Sequence, residues 1–470
     1  MKDFAILLTL VVYHLLLFGI GAWAARRTRD GADFFLGGRR LGPWVAALSS
    51  AASSSSAWTL LGVSGAAFRY GLGAIWLLPA CLGGFALNWY LVAPRLRRQS
   101  AHSDAVTLTD FLAEGDGNAA RPFRFSASLI VLLCLGVYVS SQFQAAGTTF
   151  AETFSMDFEE AVITGGAVVL VYTLLGGFWA VSLTDSVQGM VMAISSVVVP
   201  AAALWVAGGP SGMLAGLERA DALLLDPFRG LAGFAALGLV LGTLGIGLGY
   251  PGQPHVVNRF MALRDDKALA QGRRIAMGWA LILYSGMLLA GWCGRSVLET
   301  MPEDSEAVLL SLTLQLFPPL VAGIILAAVL SAIMSTADSQ LLVCASTVSH
   351  DLSRKQDRHA LFRGRVAVFF IAGIAVFLAL KVEETIFKKV LFAWSGLGAA
   401  FGPLLLVRLW RGPVAPPWAL ASTWIGFVVS VIWYMTPSLK GAIYELVPAF
   451  LLALIPAWLG AKRQASSSAA

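Results

Sequence analysis

Thirteen long apolar runs, each close to the ~20 residues an α-helix needs to cross hydrocarbon, limit this chain more than any other feature. They lie near 4–24, 43–68, 74–93, 124–151, 160–178, 183–207, 232–254, 274–297, 318–348, 363–381, 386–409, 416–435 and 443–461, and are called spans 1 to 13 here. A soluble core has no use for so much apolar surface: 57% of residues are hydrophobic and only 13% charged, against about 45–50% and about 25% in ordinary soluble chains. The charges fall mostly between the runs, so the runs face lipid and the expected class is an all-α integral membrane protein. Span 1 has no basic region before it and no small-residue cleavage site after it, so it is kept as a helix and not read as a signal peptide.

The net charge of +6 is spread over short loops, which excludes a nucleic-acid face and gives topology instead. Arg26, Arg27, Arg29, Arg39 and Arg40 follow span 1, Arg95, Arg97, Arg98 and Arg121 follow span 3, and Arg259, Arg264, Lys267, Arg273 and Arg274 follow span 7. Arg354, Lys355, Arg358, Arg363 and Arg365 after span 9, Arg408 and Arg411 after span 11, and Lys462 with Arg463 keep the same parity. These loops are expected in the cytoplasm, with the amino terminus outside and the carboxyl terminus inside a plasma (inner) membrane. Loops of the other parity are more acidic or mixed, as at 152–160 and 299–306. Cys81, Cys134, Cys293 and Cys344 sit in apolar stretches without short spacing, and the five histidines are scattered. Neither a disulfide framework nor a transition-metal site is indicated, and no nucleophile elbow, phosphate loop or dinucleotide fingerprint supports an enzyme.

Two spans are not expected to be continuous helices. Span 2 carries the run Leu48 to Ala57, in which Ser49, Ser50, Ser53, Ser54, Ser55 and Ser56 can bond their own backbone and compete with the helical ladder. Span 7 carries Gly245, Gly247, Gly249, Pro251, Gly252 and Pro254, which withdraw helix propensity and backbone donors. The breaks are five spans apart, the spacing of two inverted repeats built from spans 2–6 and 7–11 around a central site. Freed carbonyls at such depth are tolerated only where they line protein or a wet cavity, so the breaks mark the solute and ion sites.

A sodium ion needs several hard oxygens. In span 9, Ala332, Ser335, Thr336 and Ser339 share one helical face, close to Asp338. The plainer alternative is that these hydroxyls bond back to their own helix or let helices approach closely. Asp338 and Asp185 are the two acids at membrane depth, where an ionised carboxylate costs roughly 2.5–3.5 kcal/mol on insertion scales. Asp185 is placed at the start of span 6, where it is as readily a first-turn acid stabilising a helix N-terminus as a functional group. Tyr138 with Gln142 on span 4, and Tyr250 with Gln253 and His255 at the span 7 break, are candidates to meet a polar solute, set against ordinary packing and interhelical bonding. Trp44, Trp76, Trp89 and Trp292 are taken as interface anchors, and the tail 464–470 as disordered.

Several segments together resemble the sodium:solute symporter family, and most of all its bacterial sodium/proline symporters. They are Phe34-Phe35-Leu36-Gly37-Gly38-Arg39, the Ser-rich start of span 2, Gly176 to Asp185, Gly249 to His255, Met334-Ser335-Thr336 and Phe392 to Pro403. The resemblance implies a leucine-transporter-type 5+5 inverted-repeat core in spans 2–11, with one helix before it and two after. The chain then divides into an extra helix and cytoplasmic loop at 1–42, repeats at 43–208 and 209–411, and two C-terminal helices with a short tail at 412–470. Carried over by position, it implies a sodium site of backbone oxygens from Ala52, Ser55 and Ala332 with the hydroxyls of Ser335 and Thr336. Asp185, Asp338 and Ser339, with Ser335, match a region where some relatives hold or release a second sodium. Tyr138, Tyr250 and Pro254 match solute-pocket positions, and Ser56 lies beside the sodium site. Two departures stand out: Ser54 replaces an Asp and Ile246 replaces a Trp of the proline carriers.

The expected activity is therefore sodium-coupled import of a small polar solute, proline or a related amino acid, by alternating access. The solute set also includes Ser54, Gln142, Ile246 and Gln253. The partners are the solute, sodium and the bilayer, and a monomer suffices. A monocarboxylate or another small zwitterion fits the same scaffold. A proton-coupled carrier using Asp185 or Asp338 is the nearest rival. A transporter-like sensor would need an output domain that the residues after 461 are too few to hold. A channel suits two broken helices around one occluded centre less well.

Overall fold

The computed structural model describes residues 2–25, 39–103, 105–113, 120–175, 178–352 and 360–461. The segment 34–38 of the first family motif, Gly176 and Gly177, several of the loop arginines and the 464–470 tail lie outside the described residues. Regular structure among those described is entirely helical apart from two isolated bridges, Leu41 with Leu263 and Val414 with Ala461.

The helices are α1 Lys2–Ala25, α2 Pro43–Ser54, α3 Val63–Tyr70, α4 Leu77–Ala86, α5 Ala93–His102, α6 Leu108–Leu112, α7 Arg121–Phe154, α8 Phe158–Leu175, α9 Phe178–Val206 and α10 Gly209–Ala220. They continue with α11 Gly233–Gly245, α12 Pro254–Met261, α13 Asp266–Val297, α14 Val308–Leu316, α15 Pro319–Ser346, α16 Ala360–Lys381, α17 Ile386–Arg411, α18 Pro416–Met435, α19 Pro437–Lys440 and α20 Leu446–Leu459. Ten of the described helical stretches are long and apolar enough to cross a membrane. Burial sorts them: the most apolar window of α15, and that of α17, is 83% buried inside the protein, against 17% for α1. The central helices thus satisfy one another, while peripheral ones offer lipid such side chains as Phe4, Leu15, Phe234, Phe369 and Phe370.

Span 2 is interrupted where its serines predict. α2 ends at Ser54, Ser55 leaves helical geometry at φ −114°, ψ 76°, and the chain resumes as a π-helical turn over Trp58–Gly62 before α3. Span 7 is interrupted as well, but reaches further than expected. After α11 it tightens to a 3₁₀ stretch over Ile246–Gly252, turns at Gln253, and resumes as α12 with Pro254 in its first turn, where a missing N–H costs nothing. The expected end near 254 is thereby corrected to Met261, and Arg259 belongs to a helix and not to a loop. The approach to α2 and the exit from α12 are tied together, Leu41 N–H donating to Ala262 O at 3.1 Å and Arg264 N–H to Leu41 O at 3.1 Å.

Two further corrections follow. α9 is already helical at Phe178, so Asp185 lies two turns inside it and the first-turn reading of this acid is excluded. Trp89 is not an interface anchor: it is buried, edge to face with Phe260 at 4.9 Å between ring centroids. Trp44 is 60% exposed. The four cysteines are buried and unpaired. The short helices α10 and α14 lie between the apolar runs.

Candidate sodium and solute site

The broken end of α2 faces the middle of α15. Ser335 Oγ donates to Ala52 O at 3.3 Å and is also 3.4 Å from Ala332 O, one turn back on its own helix. Next to it, Thr336 Oγ1 donates to Ser53 O at 3.3 Å. Ser55 N–H returns to Ala52 O at 3.2 Å, and Ser55 Oγ is buried without a partner. The hydroxyls of Ser335 and Thr336 thus meet carbonyls at the interruption, that of Ala52 also accepting from Ser55 N–H, in a region where Ala52, Ser53, Ser55, Ala332, Ser335 and Thr336 are all fully buried. Long, weak hydroxyl–carbonyl contacts among several oxygens form a ligand set with no strong internal bond to break. Ser53 O joins the expected set here, next to Ala52 and Ser55.

The three residues expected to serve a second ion part company. Asp185 and Ser339 share a polar cluster: Asp185 Oδ2 accepts from Ser49 Oγ at 2.8 Å and Ser53 Oγ at 3.2 Å, and Ser53 Oγ lies 3.0 Å from Ser339 Oγ. Arg259 completes it, as described below. Asp338 turns to α8, where Thr173 Oγ1 donates to its Oδ1, so it has no hydrogen bond with Asp185. Each acid keeps one buried oxygen without a hydrogen-bond partner, Asp185 Oδ1 and Asp338 Oδ2.

The solute candidates also divide. Ser54, Tyr138, Ile246 and Tyr250 line a small cavity between the two broken spans, together with Trp58, Val390, Leu391 and Trp394. Tyr250 packs edge to face on Trp394 at 4.8 Å between centroids, and its hydroxyl lies 3.1 Å from that of Tyr284. Ser54 Oγ bonds back to Ala51 O at 3.0 Å. Ser56 lies behind Tyr138, whose hydroxyl donates to Ser56 Oγ at 3.3 Å. Gln142 and Gln253 take another duty. Gln142 Oε1 accepts from Ala57 N–H at 3.1 Å, and Gln253 Nε2 donates to Gly249 O and Trp394 O, both at 3.1 Å. Gln142 and Gln253 satisfy backbone groups at the two breaks, Gln253 also tying span 7 to α17, and with Pro254 they do not line the cavity.

Trp58, Val390, Leu391 and Trp394 were missed as wall residues. Only Trp394 carried a signal, its place in the Phe392 to Pro403 motif. Its indole N–H donates to Ile246 O at 3.0 Å, which ties α17 to the span 7 break.

Two broken helices around a buried oxygen cluster and a small aromatic cavity define a membrane transporter. The chain matches the model of the sodium:solute symporter family over residues 34–426 and belongs to that family. It is 38% identical over 461 residues to the osmoregulated proline transporter OpuE of Bacillus subtilis (strain 168), covering 96% of this chain and 93% of that protein. It is 35% identical to a sodium/proline symporter of Escherichia coli (strain K12), covering 94% and 90%. Among solved structures, the substrate-bound outward-open state of a Na+-coupled sialic acid symporter superposes with a TM-score of 0.80 at 17% identity, covering 99% of each chain. MhsT in complex with L-phenylalanine superposes at 0.54 and 14% identity, covering 90% of this chain and 99% of that one. Both likenesses concern the fold.

Proposed function

We propose that this protein is a sodium-coupled symporter of the plasma membrane that imports proline, or a closely related small amino acid, by alternating access. The observation that carries the reading is the meeting of Ser335 and Thr336 with the carbonyls of Ala52 and Ser53 at the interruption of span 2. Sodium replaces the weak hydroxyl–carbonyl contacts with ion–oxygen contacts from Ala52, Ser53 or Ser55, Ala332, Ser335 and Thr336, and so joins α2 to α15. Because Ser54, next to those carbonyls, lines the solute cavity, and Ser56 holds the wall residue Tyr138, an ordered break also orders the pocket. Coupling then follows as differential affinity: each ligand favours the state in which the other's site is formed.

The cavity walls supply the selectivity. Trp58, Tyr250 and Trp394 suit a compact apolar side chain, and freed backbone groups at the breaks suit an ammonium and a carboxylate. A vestibule on the acidic side is lined by Glu303, Asp304, Glu383 and Glu384 against Arg69 and Arg295, an excess of carboxylates that concentrates cations. The membrane arrangement belongs to the same proposal: thirteen spans, the ten long helices joined by the interrupted span 2, α8 and α20, with spans 2–11 as two inverted repeats. The amino terminus is outside and the carboxyl terminus cytoplasmic, and one chain is enough for transport. The names of the curated relatives, which are proline transporters and sodium/proline symporters, support the choice of solute.

The test is proline uptake into proteoliposomes under imposed gradients. Uptake should require inward sodium and be enhanced by an inside-negative potential, which contributes about 2.3 kcal/mol per charge per 100 mV. Uptake driven by a proton gradient in the absence of sodium would refute the coupling, and sodium-driven uptake of another solute to the exclusion of proline would refute the choice of solute.

A further inference from the structure

Asp185 already has a cation. Arg259 Nη2 lies 2.8 Å from Asp185 Oδ2, with the two side chains 3% and 0% exposed. The same guanidinium donates from Nη2 to Ser339 Oγ at 2.6 Å, from Nε to Ser49 Oγ at 2.6 Å, and from Nη1 to the carbonyl of His255. A carboxylate, two hydroxyls and a backbone carbonyl, drawn from α2, α9, α12 and α15, therefore surround one fixed positive group, with Ser53 bridging Asp185 and Ser339 behind it. This is the donor set that a bare alkali cation asks for, and Asp185 is its one carboxylate. Asp338 is bonded to Thr173 on α8, and His255, packed on Tyr138, brings no negative charge.

We propose that the Arg259 guanidinium is a tethered cation that permanently fills a second cation position, so that one sodium ion, and not two, accompanies each solute. This rests on the sodium reading of the Ser335–Thr336 site. Two unit positive charges facing one carboxylate inside a low-dielectric core repel strongly, so a free sodium does not share the cluster with Arg259. Arg259 also joins the cytoplasm-proximal halves of both broken spans to α9 and α15. The role a mobile ion would play in closing that side is thus performed by a side chain that never leaves.

The experiment is the sodium-to-solute ratio, read from reversal potentials of proline flux in proteoliposomes and from the sodium dependence of thermal stability of the purified protein. The wild type is expected at one sodium per proline, with a stability response of first order in sodium. Arg259→Gln leaves Asp185 uncompensated and is expected to admit an ion: a ratio of two, or, where the variant no longer transports, a stability response of second order. Asp185→Asn combined with Arg259→Gln removes both charges and is expected to return to one. A wild-type ratio of two overturns the inference and leaves sodium symport standing, whereas a wild type indifferent to sodium sinks the functional reading itself. A ratio or order of one in Arg259→Gln, or of two in the double variant, also overturns it. If Arg259→Gln does not fold, the wild-type ratio and the double variant decide.

Discussion

Thr336 and Ser335 are neighbours in sequence, yet each meets a different carbonyl of α2, at 3.3 Å in both cases. An oxygen on a charged ligand is worth about 1.5–3 kcal/mol, or roughly tenfold or more in affinity. Thr336→Val keeps the shape and removes the oxygen, and should raise the half-saturating sodium concentration for proline uptake by at least about tenfold. Thr336→Ser restores the oxygen and should stay near wild type. An equal loss in both would assign Thr336 to packing instead. The serines and the threonine of span 9 could be singled out in sequence because they share one face of an apolar helix. Arg259 could not. A lone arginine just after a double-proline break has the signature of a loop charge that sets topology, and only the continuation of the helix to Met261 carries it into the core. Asp185 was misplaced for a related reason: the Gly-Gly step before Phe178 reads as the end of one span, not as the start of the next.

Helix interruptions are stable only when the groups they free find partners. Ala57 N–H finds Gln142, and Tyr250 O finds Asn88 Nδ2 at 3.1 Å. Gln142→Leu buries an unsatisfied donor at the span 2 break and should cost about 1–3 kcal/mol, seen as a lower Tm in detergent, together with a raised KM for proline. An unchanged Tm would mean that another group takes over the Ala57 donor. The span 7 break makes a close approach instead: a Cβ on Gly249 would stand 2.1 Å from Trp394 Nε1, and one on Gly398 would stand 2.7 Å from Gly249 Cα. Gly249→Ala must push the indole away from Ile246 O. The expected cost is about 1–3 kcal/mol, with a loss of proline affinity larger than the loss of sodium affinity, since Trp394 is a pocket wall. Comparable losses of both would show that the indole supports the ion site as well. These glycines could be recognised in sequence as helix breakers; their service as contact points between two backbones depends on which spans meet, which periodicity does not contain.

Across the whole molecule, the apolar runs and their charged boundaries marked where most helices lie, because burial of backbone polar groups leaves a membrane chain little choice. What escaped was the structure outside the runs, such as α6, α10 and α14, whose positions depend on the tertiary surface beneath them. α6 illustrates this at the basic side. Its Asp110 lies 2.5 Å from Arg124 Nη1 and 3.7 Å from His350 Nε2, while Thr107 donates to Asp351 at 2.9 Å, so a short connecting helix fastens α7 to the end of span 9. Burial alone would push the Asp110 carboxyl up, but the neighbouring His350 imidazole and the hydrogen-bonded, charged Arg124 hold it below the usual carboxylate range. A carboxyl lowered in the folded state stabilises the fold above its unfolded pKa of about 3.9 and loses that contribution as pH falls toward the folded value. Asp110→Asn should therefore melt below wild type, by an interval that grows from neutral pH down to about 5 as His350, whose pKa Asp110 raises, takes up its proton, and that closes in stronger acid as Asp110 itself is protonated. An interval that stays open in strong acid would contradict the sign.

Equilibrium binding of radioactive sodium to the purified protein, with and without proline, tests the central claim most directly when the wild type is set beside Ser335→Ala/Thr336→Ala. The account predicts saturable sodium binding by the wild type that proline tightens, and its loss in a double variant whose helical content is unchanged. Sodium binding of the same affinity in that variant, or binding that proline leaves unaffected, would contradict it.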